Sequence, residues 1–270
     1  MAKISIIMGV YNCKNKALLK KSVESLINQT YTDWELIICN DGSTDDTYEY
    51  LLKMKKLDNR ISVVGYSKNK GLAYALNYCL KYTKGEYIAR QDDDDYSYFN
   101  RLEKEIAVLD ANKKFSIVGC IADVYDENGI WGKYSLKEKP LITDFLWSNP
   151  FNHPTVIFRQ SALREIGGYR VSNETRRCED YDVFMRLYSK GYRGYNIQEK
   201  LYKYWIQNDS KSKYRPMKYR IDEAIVRYKG YKAMKILIKG LPYVFKPIII
   251  GLIPQKVFMQ IRNKQYSTTK

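Results

Sequence analysis

Residues 86–95 read Glu-Tyr-Ile-Ala-Arg-Gln-Asp-Asp-Asp-Asp, a short apolar stretch that runs directly into four consecutive aspartates. Four adjacent carboxylates repel one another, and holding them at the end of a buried strand is unfavourable unless a cation lies among them. Oxygen ligands indicate a hard divalent ion, Mn²⁺ or Mg²⁺, which commonly works beside phosphate groups. The alternative is an acidic loop that water alone solvates.

The segments before this run alternate between strand and helix patterns. Apolar runs predict strands at 4–11, 34–39, 61–64 and 86–89, and helical spacing predicts helices at 17–28, 44–54 and 71–83. This alternation predicts an α/β fold with a Rossmann-like, mostly parallel sheet flanked by helices. Ligands bind such sheets at the carboxyl ends of the strands. We therefore expect the polar clusters at 11–12, 41–43 and 92–95 to converge on one site.

The middle of the chain is less regular. Its pattern predicts helices at 99–112 and 179–188 and strands at 116–125 and 155–158. The first of these helices is expected to turn Arg101, Glu103, Lys104 and Glu105 outward. A polar loop at 149–154 holds the only histidine, His153.

Residues 214–270 are predicted to form a basic helical extension of a catalytic domain at 1–213. Among residues 200–270, 17 Lys and Arg stand against 3 Asp and Glu, whereas residues 1–199 carry 29 against 27. Apolar residues recur every three or four positions at Ile221, Ala224, Ile225, Tyr228, Tyr231, Met234 and Ile238. This pattern predicts a basic amphipathic helix that lies in the plane of an anionic membrane.

The same tail pattern is compatible with two further roles. The helix could pack its apolar stripe on the main domain, or its tyrosines could stack on single-stranded nucleic acid. The polar clusters lie elsewhere in the chain, so we expect no nucleic-acid partner. The five cysteines are odd in number and have no C-x-x-C spacing, which indicates reduced thiols in a cytosolic protein. We see no signal peptide and no stretch of the roughly 20 apolar residues that a spanning helix needs.

Eight motifs, in order, resemble the family 2 glycosyltransferases with the GT-A fold, notably bacterial enzymes of capsule, exopolysaccharide and wall-polymer assembly. They lie at residues 4–12, 25–31, 40–46, 69–72, 89–95 with 101–102, 152–155, 167–169 and 178–182. The resemblance covers about residues 3–205. It implies a GT-A fold and transfer of a hexose or N-acetylhexosamine from a UDP-sugar.

The resemblance also implies roles for individual residues. Asp41 matches the aspartate that reads uracil, Val10 and Asn12 match the wall of the nucleotide pocket, and Gly71 lies where the backbone approaches the nucleotide. Asp92 and Asp94 match the D-x-D pair that contacts the ribose and the metal, with Asp93 beside the donor and Asp95 an alternative metal ligand. Arg90 and His153 are placed near the sugar or diphosphate.

Asp180 matches the catalytic base, and Glu179 could orient that base or contact the acceptor. A carboxylate base takes the proton of an acceptor hydroxyl while a divalent cation neutralises the departing diphosphate. In-line attack implies inversion of the anomeric centre. The other interpretation of Asp180 is a helix N-cap, and both can hold.

The chain departs from the family pattern at Gln207, where relatives often have a histidine that can touch the metal. The Gln-x-x-Arg-Trp motif and the spanning helices of processive synthases are absent, which indicates one sugar per encounter. We expect a saccharide acceptor linked to polyprenyl diphosphate, and an enzyme peripheral on the inner face of the cell membrane. A nucleotidyltransferase and a non-enzymatic module that binds membrane or anionic polymer are the alternatives.

Overall fold

The computed structural model describes residues 2–206 and 215–253, and within them one sheet carries helices on both faces. The strands are β1 (Ile4–Val10), β2 (Trp34–Asp41), β3 (Ile61–Tyr66), β4 (Tyr87–Arg90), β5 (Tyr96–Ser97), β6 (Phe115–Asp126), β7 (Gly129–Tyr134), β8 (Ile157–Arg159) and β9 (Arg193–Trp205). The helices are α1 (Lys16–Ile27), α2 (Thr47–Lys55), α3 (Leu72–Leu80), α4 (Arg101–Ala111), α5 (Gln160–Glu165), α6 (Glu179–Ser189), α7 (Met217–Ala233) and α8 (Leu237–Leu252). Short 3₁₀ turns span Ile142–Leu146 and His153–Thr155.

The sheet has the strand order β3-β2-β1-β4-β8-β6-β9-β5, with β7 paired to β6. Strands β3, β2, β1 and β4 are parallel, as the alternating pattern predicts. In the second half, β8 runs antiparallel to both β4 and β6, and β9 runs parallel to β6. The predicted α/β class is confirmed, and the carboxyl ends of β1, β2 and β4 meet at one edge.

Two apolar layers cover the two faces of this sheet. Helices α1, α2 and α4 bury residues such as Val23, Leu51 and Ile106 against one face. Helices α3, α5 and α6 bury residues such as Leu76 and Phe184 against the other, and α7 and α8 extend this apolar cluster outward from α6. Burying apolar surface on both sides of the sheet is the main source of stability in such a fold.

Helix α4 differs from its prediction. Arg101 and Glu105 were expected to face outward, but both are fully buried. They form an ion pair four residues apart, with Arg101 Nε 3.0 Å from Glu105 Oε2. Paired charges can be buried where other hydrogen bonds satisfy them. The Arg101 guanidinium has such partners in Gln91 and Ser97, which belong to the loop that holds the four aspartates, here called the acidic loop.

Within residues 215–253, the described part of the tail, two helices replace the single predicted one. The helical conformation is interrupted between Ala233 and Leu237, where Lys235 adopts a left-handed φ of 60°. Helix α7 packs closely on α6 because Gly230 lacks a side chain; a Cβ there would lie 2.3 Å from Met185 Sδ. The predicted stripe divides accordingly. Ala224, Tyr231 and Met234 are buried in the body, whereas Ile221, Ile225, Tyr228 and Ile238 are exposed.

Across residues 2–206 and 215–253, the structure contains no helix long and apolar enough to cross a bilayer.

Candidate active site

Asp41, at the end of β2, is buried beneath the loop that precedes α3. Its Oδ1 accepts hydrogen bonds from the Tyr66 hydroxyl at 2.6 Å and the Lys70 N–H at 2.8 Å. Its Oδ2 accepts from the Asn69 side-chain amide and the Gly71 N–H, both at 2.9 Å. A carboxylate has about four acceptor positions, so these donors fill Asp41. The residue that the resemblance assigned to uracil therefore also fixes the 69–71 loop.

The loop approaches β2 this closely because Gly42 follows Asp41. Gly42 has a φ of +65°, and a Cβ there would lie 2.4 Å from the carbonyl carbon of Lys68 and 2.5 Å from the Asn69 nitrogen. Any other residue would push the loop away and break the contacts of Asp41 with the 69–71 backbone.

Asn12 closes the neighbouring turn after β1. It adopts a left-handed φ of 43°, and its Oδ1 accepts a hydrogen bond from the Thr44 N–H at 2.9 Å. Its own N–H donates to the Ser43 hydroxyl at 3.0 Å. Asn12 therefore joins the ends of β1 and β2. Two clefts open at this edge of the sheet, and Asn12 lines neither of them.

Val10, Asp41 and Gly71 line an open cleft of about 740 Å³, which we call the nucleotide cleft. Its opposite wall comes from the segment 171–177 together with Glu179. The structure thus brings together three of the four residues that the sequence assigned to the nucleotide, from β1, β2 and the loop before α3.

A second cleft of about 880 Å³, the acidic cleft, adjoins the first. The predicted site residues that line it are Arg90, Asp92, Asp94, His153, Glu179 and Asp180. Leu72, Arg177 and Glu179 line both clefts. A ligand with a nucleotide at one end and a sugar diphosphate at the other could therefore span them.

The four aspartates of the run do not share one environment. Asp92 and Asp94 line the acidic cleft, and Asp93 is half-buried. Asp95 is buried away from the cleft, where its Oδ1 accepts the Trp205 N–H at 2.7 Å. Asp95 therefore does not line the cleft with the other candidate metal ligands, Asp92 and Asp94. Its side chain instead anchors the loop to β9.

Burial and mutual repulsion disfavour ionisation within this run. Burial and the charge of Asp92 raise the pKa of Asp93 to about 6. Burial, together with Asp92 and Asp93, raises the pKa of Asp94 to about 8. Such carboxylates gain from a bound cation.

Two buried arginines, Arg90 and Arg101, hold the acidic loop in position. Arg90 pairs with Asp92 and donates to the Gln91 carbonyl at 2.6 Å. Arg101 donates to Gln91 Oε1 at 3.0 Å, to the Ser97 hydroxyl at 2.8 Å and to the Arg90 carbonyl at 2.9 Å. Because these contacts fix both ends of the loop, Arg101 positions the aspartates without lining the cleft.

The donor set of the acidic cleft suits Mn²⁺ or Mg²⁺ bound together with a diphosphate. Within the described ranges, no three His, Cys, Asp or Glu side chains form a cluster able to hold a metal alone. Mg²⁺ usually binds one or two carboxylates and takes its remaining ligands from substrate phosphates and water. Asp92 and Asp94 on one cleft wall match that pattern. Gln207, the departure from the family pattern, lies outside the described residues.

Asp180 lies in the first turn of α6, where the N-cap position itself belongs to Cys178. The N-cap interpretation is therefore wrong by two residues. Asp180 Oδ1 accepts the Tyr181 N–H at 2.8 Å, and Oδ2 accepts the Asn149 side-chain amide at 2.9 Å. Burial raises the pKa of Asp180, while these two donors oppose the rise. Burial and the adjacent Asp180 raise the pKa of Glu179 to about 7.

His153 forms part of the floor of the acidic cleft. Its Nε2 lies 2.8 Å from the Tyr169 hydroxyl, and the ring is buried. Burial holds its pKa well below the usual range, with the charge of Arg90 acting in the same direction. Without a ligand, these surroundings favour the neutral form of the His153 ring.

Sequence reasoning missed three residues that line the acidic cleft: Asn149, Arg177 and Arg215. Arg177 adopts a left-handed φ of 68°, which is rare for a side chain of its size. Its one signal in the sequence is the basic pair before the Cys178-Glu179 motif. Asn149 lies in a segment whose composition indicates only a polar loop, and Arg215 lies in the predicted tail.

The family of the chain follows from comparison with known sequences. The family model described as "Glycosyl transferase family 2" matches residues 5–167. This chain belongs to glycosyltransferase family 2. A putative glycosyltransferase, EpsE, of Bacillus subtilis is 39% identical over 270 residues, which cover 99% of this chain and 96% of that protein. The chain is therefore a glycosyltransferase.

A second relative has a defined reaction in its name. The Escherichia coli protein WfaP, described as a UDP-Glc:α-D-GlcNAc-diphosphoundecaprenol β-1,3-glucosyltransferase, is 31% identical over 208 residues. The match covers 73% of this chain and 74% of WfaP.

Solved structures confirm the GT-A-like fold of this family 2 chain. TarS of S. aureus, in complex with UDP-GlcNAc, has a TM-score of 0.72 at 18% identity and covers 97% of this chain and 79% of its own. A mannosyltransferase of Pyrobaculum calidifontis, in complex with GDP-Man and Mn²⁺, has a TM-score of 0.63 at 18% identity. It covers 99% of this chain and 72% of its own.

Proposed function

We propose that this glycosyltransferase moves a hexose or N-acetylhexosamine from a UDP-sugar to a lipid-linked saccharide during surface-polysaccharide synthesis. The transfer is inverting, depends on Mn²⁺ or Mg²⁺, and adds one sugar per encounter. The UDP-GlcNAc in the TarS complex and the diphosphoundecaprenol acceptor in the name of WfaP support the donor and acceptor classes.

The observation that carries this proposal is the adjacency of the two clefts. The nucleotide cleft and the acidic cleft share Leu72, Arg177 and Glu179. A UDP-sugar with its uridine beside Asp41 would place its diphosphate where the clefts meet and its sugar toward Asp180. A nucleotidyltransferase or a non-enzymatic module has no comparable support from the family.

The donor diphosphate would be held by groups around the junction. Asp92 and Asp94 would hold the divalent ion together with phosphate oxygens, and the ion would neutralise charge on the leaving diphosphate. Arg177 and Arg215 line the same cleft and add fixed positive charge. Arg90, already paired with Asp92, sets the position of that carboxylate.

Asp180 would act as the base. As the acceptor oxygen attacks the anomeric carbon, its proton moves to Asp180, and the bond from the anomeric carbon to the phosphate oxygen breaks. Attack from the face opposite the leaving group inverts the anomeric centre, so an α-linked donor gives a β-linkage. Glu179, beside the base, would contact acceptor hydroxyls.

We further propose that the tail holds the enzyme on the inner face of the membrane through α8. Ile238, Leu241, Phe245, Ile249 and Leu252 recur at helical spacing on one exposed face of this helix. Together with the basic charge of residues 200–270, this stripe suits an anionic lipid surface. In this proposal α8 contacts the lipid, because all five positions of its stripe are exposed, whereas the stripe predicted on α7 is divided between buried and exposed residues.

A metal-dependent donor screen tests the function. The full chain is incubated with UDP- and GDP-sugars, Mn²⁺ or Mg²⁺ and a synthetic saccharide-diphosphate lipid, and nucleotide diphosphate release is followed. The proposal expects release from a UDP-sugar that stops with a chelator and in Asp180→Asn. Release from GDP-sugars alone, or release that EDTA leaves unchanged, would contradict it.

A further inference from the structure

Asn149 holds the carboxylate of Asp180 from outside its helix. The Asn149 side-chain amide donates to Asp180 Oδ2 at 2.9 Å, whereas the other oxygen, Oδ1, accepts the Tyr181 N–H within α6. Asn149 is itself oriented, since its Oδ1 accepts the Phe151 N–H at 3.3 Å. With its carbonyl oxygen turned to the backbone, the amide presents its N–H to Asp180.

The residues just before Asn149 are bound by the two C-terminal helices. The Tyr231 hydroxyl lies 3.1 Å from the Phe145 carbonyl oxygen and 3.2 Å from that of Leu146. Arg227 Nη1 donates to the same Leu146 oxygen at 3.1 Å. These contacts tie α7 to a backbone stretch only three residues before Asn149.

Helix α8 binds the next carbonyl along. Lys246 Nζ donates to the Trp147 carbonyl oxygen at 2.6 Å and lies 3.5 Å from the centroid of the Trp147 ring. Three consecutive carbonyls, at residues 145–147, therefore accept hydrogen bonds from tail side chains. They come at the end of the 3₁₀ turn Ile142–Leu146, where backbone carbonyls lack partners within the turn.

The two donors from α7, Tyr231 and Arg227, are themselves held firmly in place. Tyr231 is fully buried and Arg227 is 4% exposed. Arg227 also pairs with Glu223, at 3.0 Å, and donates to the Tyr231 hydroxyl at 2.8 Å. A buried, charge-assisted network of this kind has little freedom to rearrange.

We propose that Asn149 is a positioning residue for Asp180, and that α7 and α8 keep it in place by binding the carbonyls of residues 145–147. In this proposal the C-terminal helices support the geometry of the active site, in addition to any contact that they make with lipid. The inference rests on the proposed role of Asp180 as the base.

A direct test is the titration of the Asp180 carboxyl in the metal-free full chain. The carboxyl carbon is followed by ¹³C NMR with labelled aspartate, and Asp180→Asn identifies its signal. The charged or titratable groups near Asp180 are Cys178, Glu179, Tyr169, Arg215 and Glu223. Each of these stays in place when Asn149 alone is changed.

Loss of the Asn149 donor should raise the midpoint, because a hydrogen bond to a carboxylate favours its ionised form. Asn149→Ala is expected to raise it by about one pH unit. Asn149→Asp keeps the size and an acceptor for Phe151 but sets a second carboxylate against Asp180, so its midpoint should rise further. An unchanged midpoint in both variants would overturn the inference.

The part played by the tail is tested with a matched pair on α7. Tyr231→Phe removes the hydroxyl that binds residues 145 and 146, whereas Tyr228→Phe makes the same change at an exposed position. Tyr231→Phe should raise the Asp180 midpoint and lower kcat several-fold with donor KM unchanged, and Tyr228→Phe should do neither. Equal behaviour of the two variants would overturn the role of the tail.

Failure of this inference can be told apart from failure of the proposed function. If Asp180→Asn transfers sugar at the wild-type rate, Asp180 is not the base and both proposals fall. If Asp180→Asn is inactive while the Asn149 variants titrate as wild type, the inference alone falls.

Discussion

Oδ1 of Asp95 accepts a hydrogen bond from the backbone N–H of Trp205 at 2.7 Å, so the last aspartate of the acidic run is tied to β9. Its neighbour Asp94 faces the acidic cleft. Two adjacent residues of the same type therefore differ in position: Asp95 anchors the loop, whereas Asp94 faces the cleft, where we propose that it binds the metal ion.

A matched pair of substitutions separates these tasks. Asp94→Asn should lower the affinity for Mn²⁺, measured by electron paramagnetic resonance with UDP present, by at least tenfold, because a cleft carboxylate is lost. Asp95→Asn keeps an oxygen acceptor for Trp205 and should bind Mn²⁺ as the wild type does. Asp95→Leu should lower Tm, because the Trp205 N–H then loses its partner. Equal loss of Mn²⁺ affinity in both Asn variants would contradict this division.

The acidic run also predicts how stability depends on pH in the metal-free protein. Burial raises the pKa of Asp93 to about 6 and, with the neighbouring charges, that of Asp94 to about 8. A carboxyl with a raised folded-state pKa stabilises fully below the unfolded pKa, about 4. That stabilisation is lost as pH rises toward and through the folded-state pKa, because over this range the unfolded state has already released protons that the folded state still binds.

We therefore expect Tm in EDTA to fall as pH rises between 6 and 8. Asp94→Asn should have a flatter profile over this range, since the amide does not titrate. Calorimetry at several pH values measures both. A wild-type profile as flat as that of the variant would show that Asp94 is not disfavoured in its ionised form.

Replacement of Asp41 should have two effects, because hydrogen bonds fill the acceptor positions of its carboxylate while the residue also lines the nucleotide cleft. Asp41→Asn should lower both Tm and UDP affinity, because the carboxylate supports the 69–71 loop as well as facing the nucleotide cleft. Tyr66→Phe removes one competing donor and frees an acceptor position, so UDP affinity should be retained or improved. Calorimetric titration with UDP measures this. Wild-type UDP affinity in Asp41→Asn would remove Asp41 from uracil recognition.

The exposed stripe of α8 predicts binding to anionic lipid. Leu241→Glu should abolish flotation with phosphatidylglycerol vesicles, because a charge enters the apolar face. Leu57→Glu is the matched control, since Leu57 lies on the main domain and is 45% exposed against 49% for Leu241. Equal flotation of the two variants would exclude α8 as the contact, and flotation with neutral vesicles alone would exclude the basic charge.

The amino-terminal half of the fold and most of the site could be predicted from the sequence. Strands β1 to β4 are apolar runs that alternate with segments of helical spacing, which predicts a parallel sheet, and turn residues mark the carboxyl ends of the strands. Asp92, Asp94 and Asp180 follow from motifs, and the structure places them on one cleft. Their roles in the reaction remain predictions.

Other features depend on long-range contacts that a local pattern does not carry. Arg101 has the spacing of an exposed helix residue, yet it is buried because its partners are Gln91, Ser97 and Glu105. Asn149 has significance only through Asp180, 31 residues later. The tail has an amphipathic pattern whether it contacts lipid or protein, and the packing of Gly230 on Met185 decides that α7 lies on the body.

In the proposed mechanism, Asp180 deprotonates an acceptor hydroxyl that attacks a UDP-sugar in line. The most direct measurement is the ¹H NMR anomeric coupling of the product formed from the UDP-sugar that the donor screen selects, with Asp180→Asn run in parallel. The proposed inverting mechanism should give a β-linkage from the α-linked donor and no product from the variant. An α-linkage, or product formed by Asp180→Asn at the wild-type rate, would contradict it.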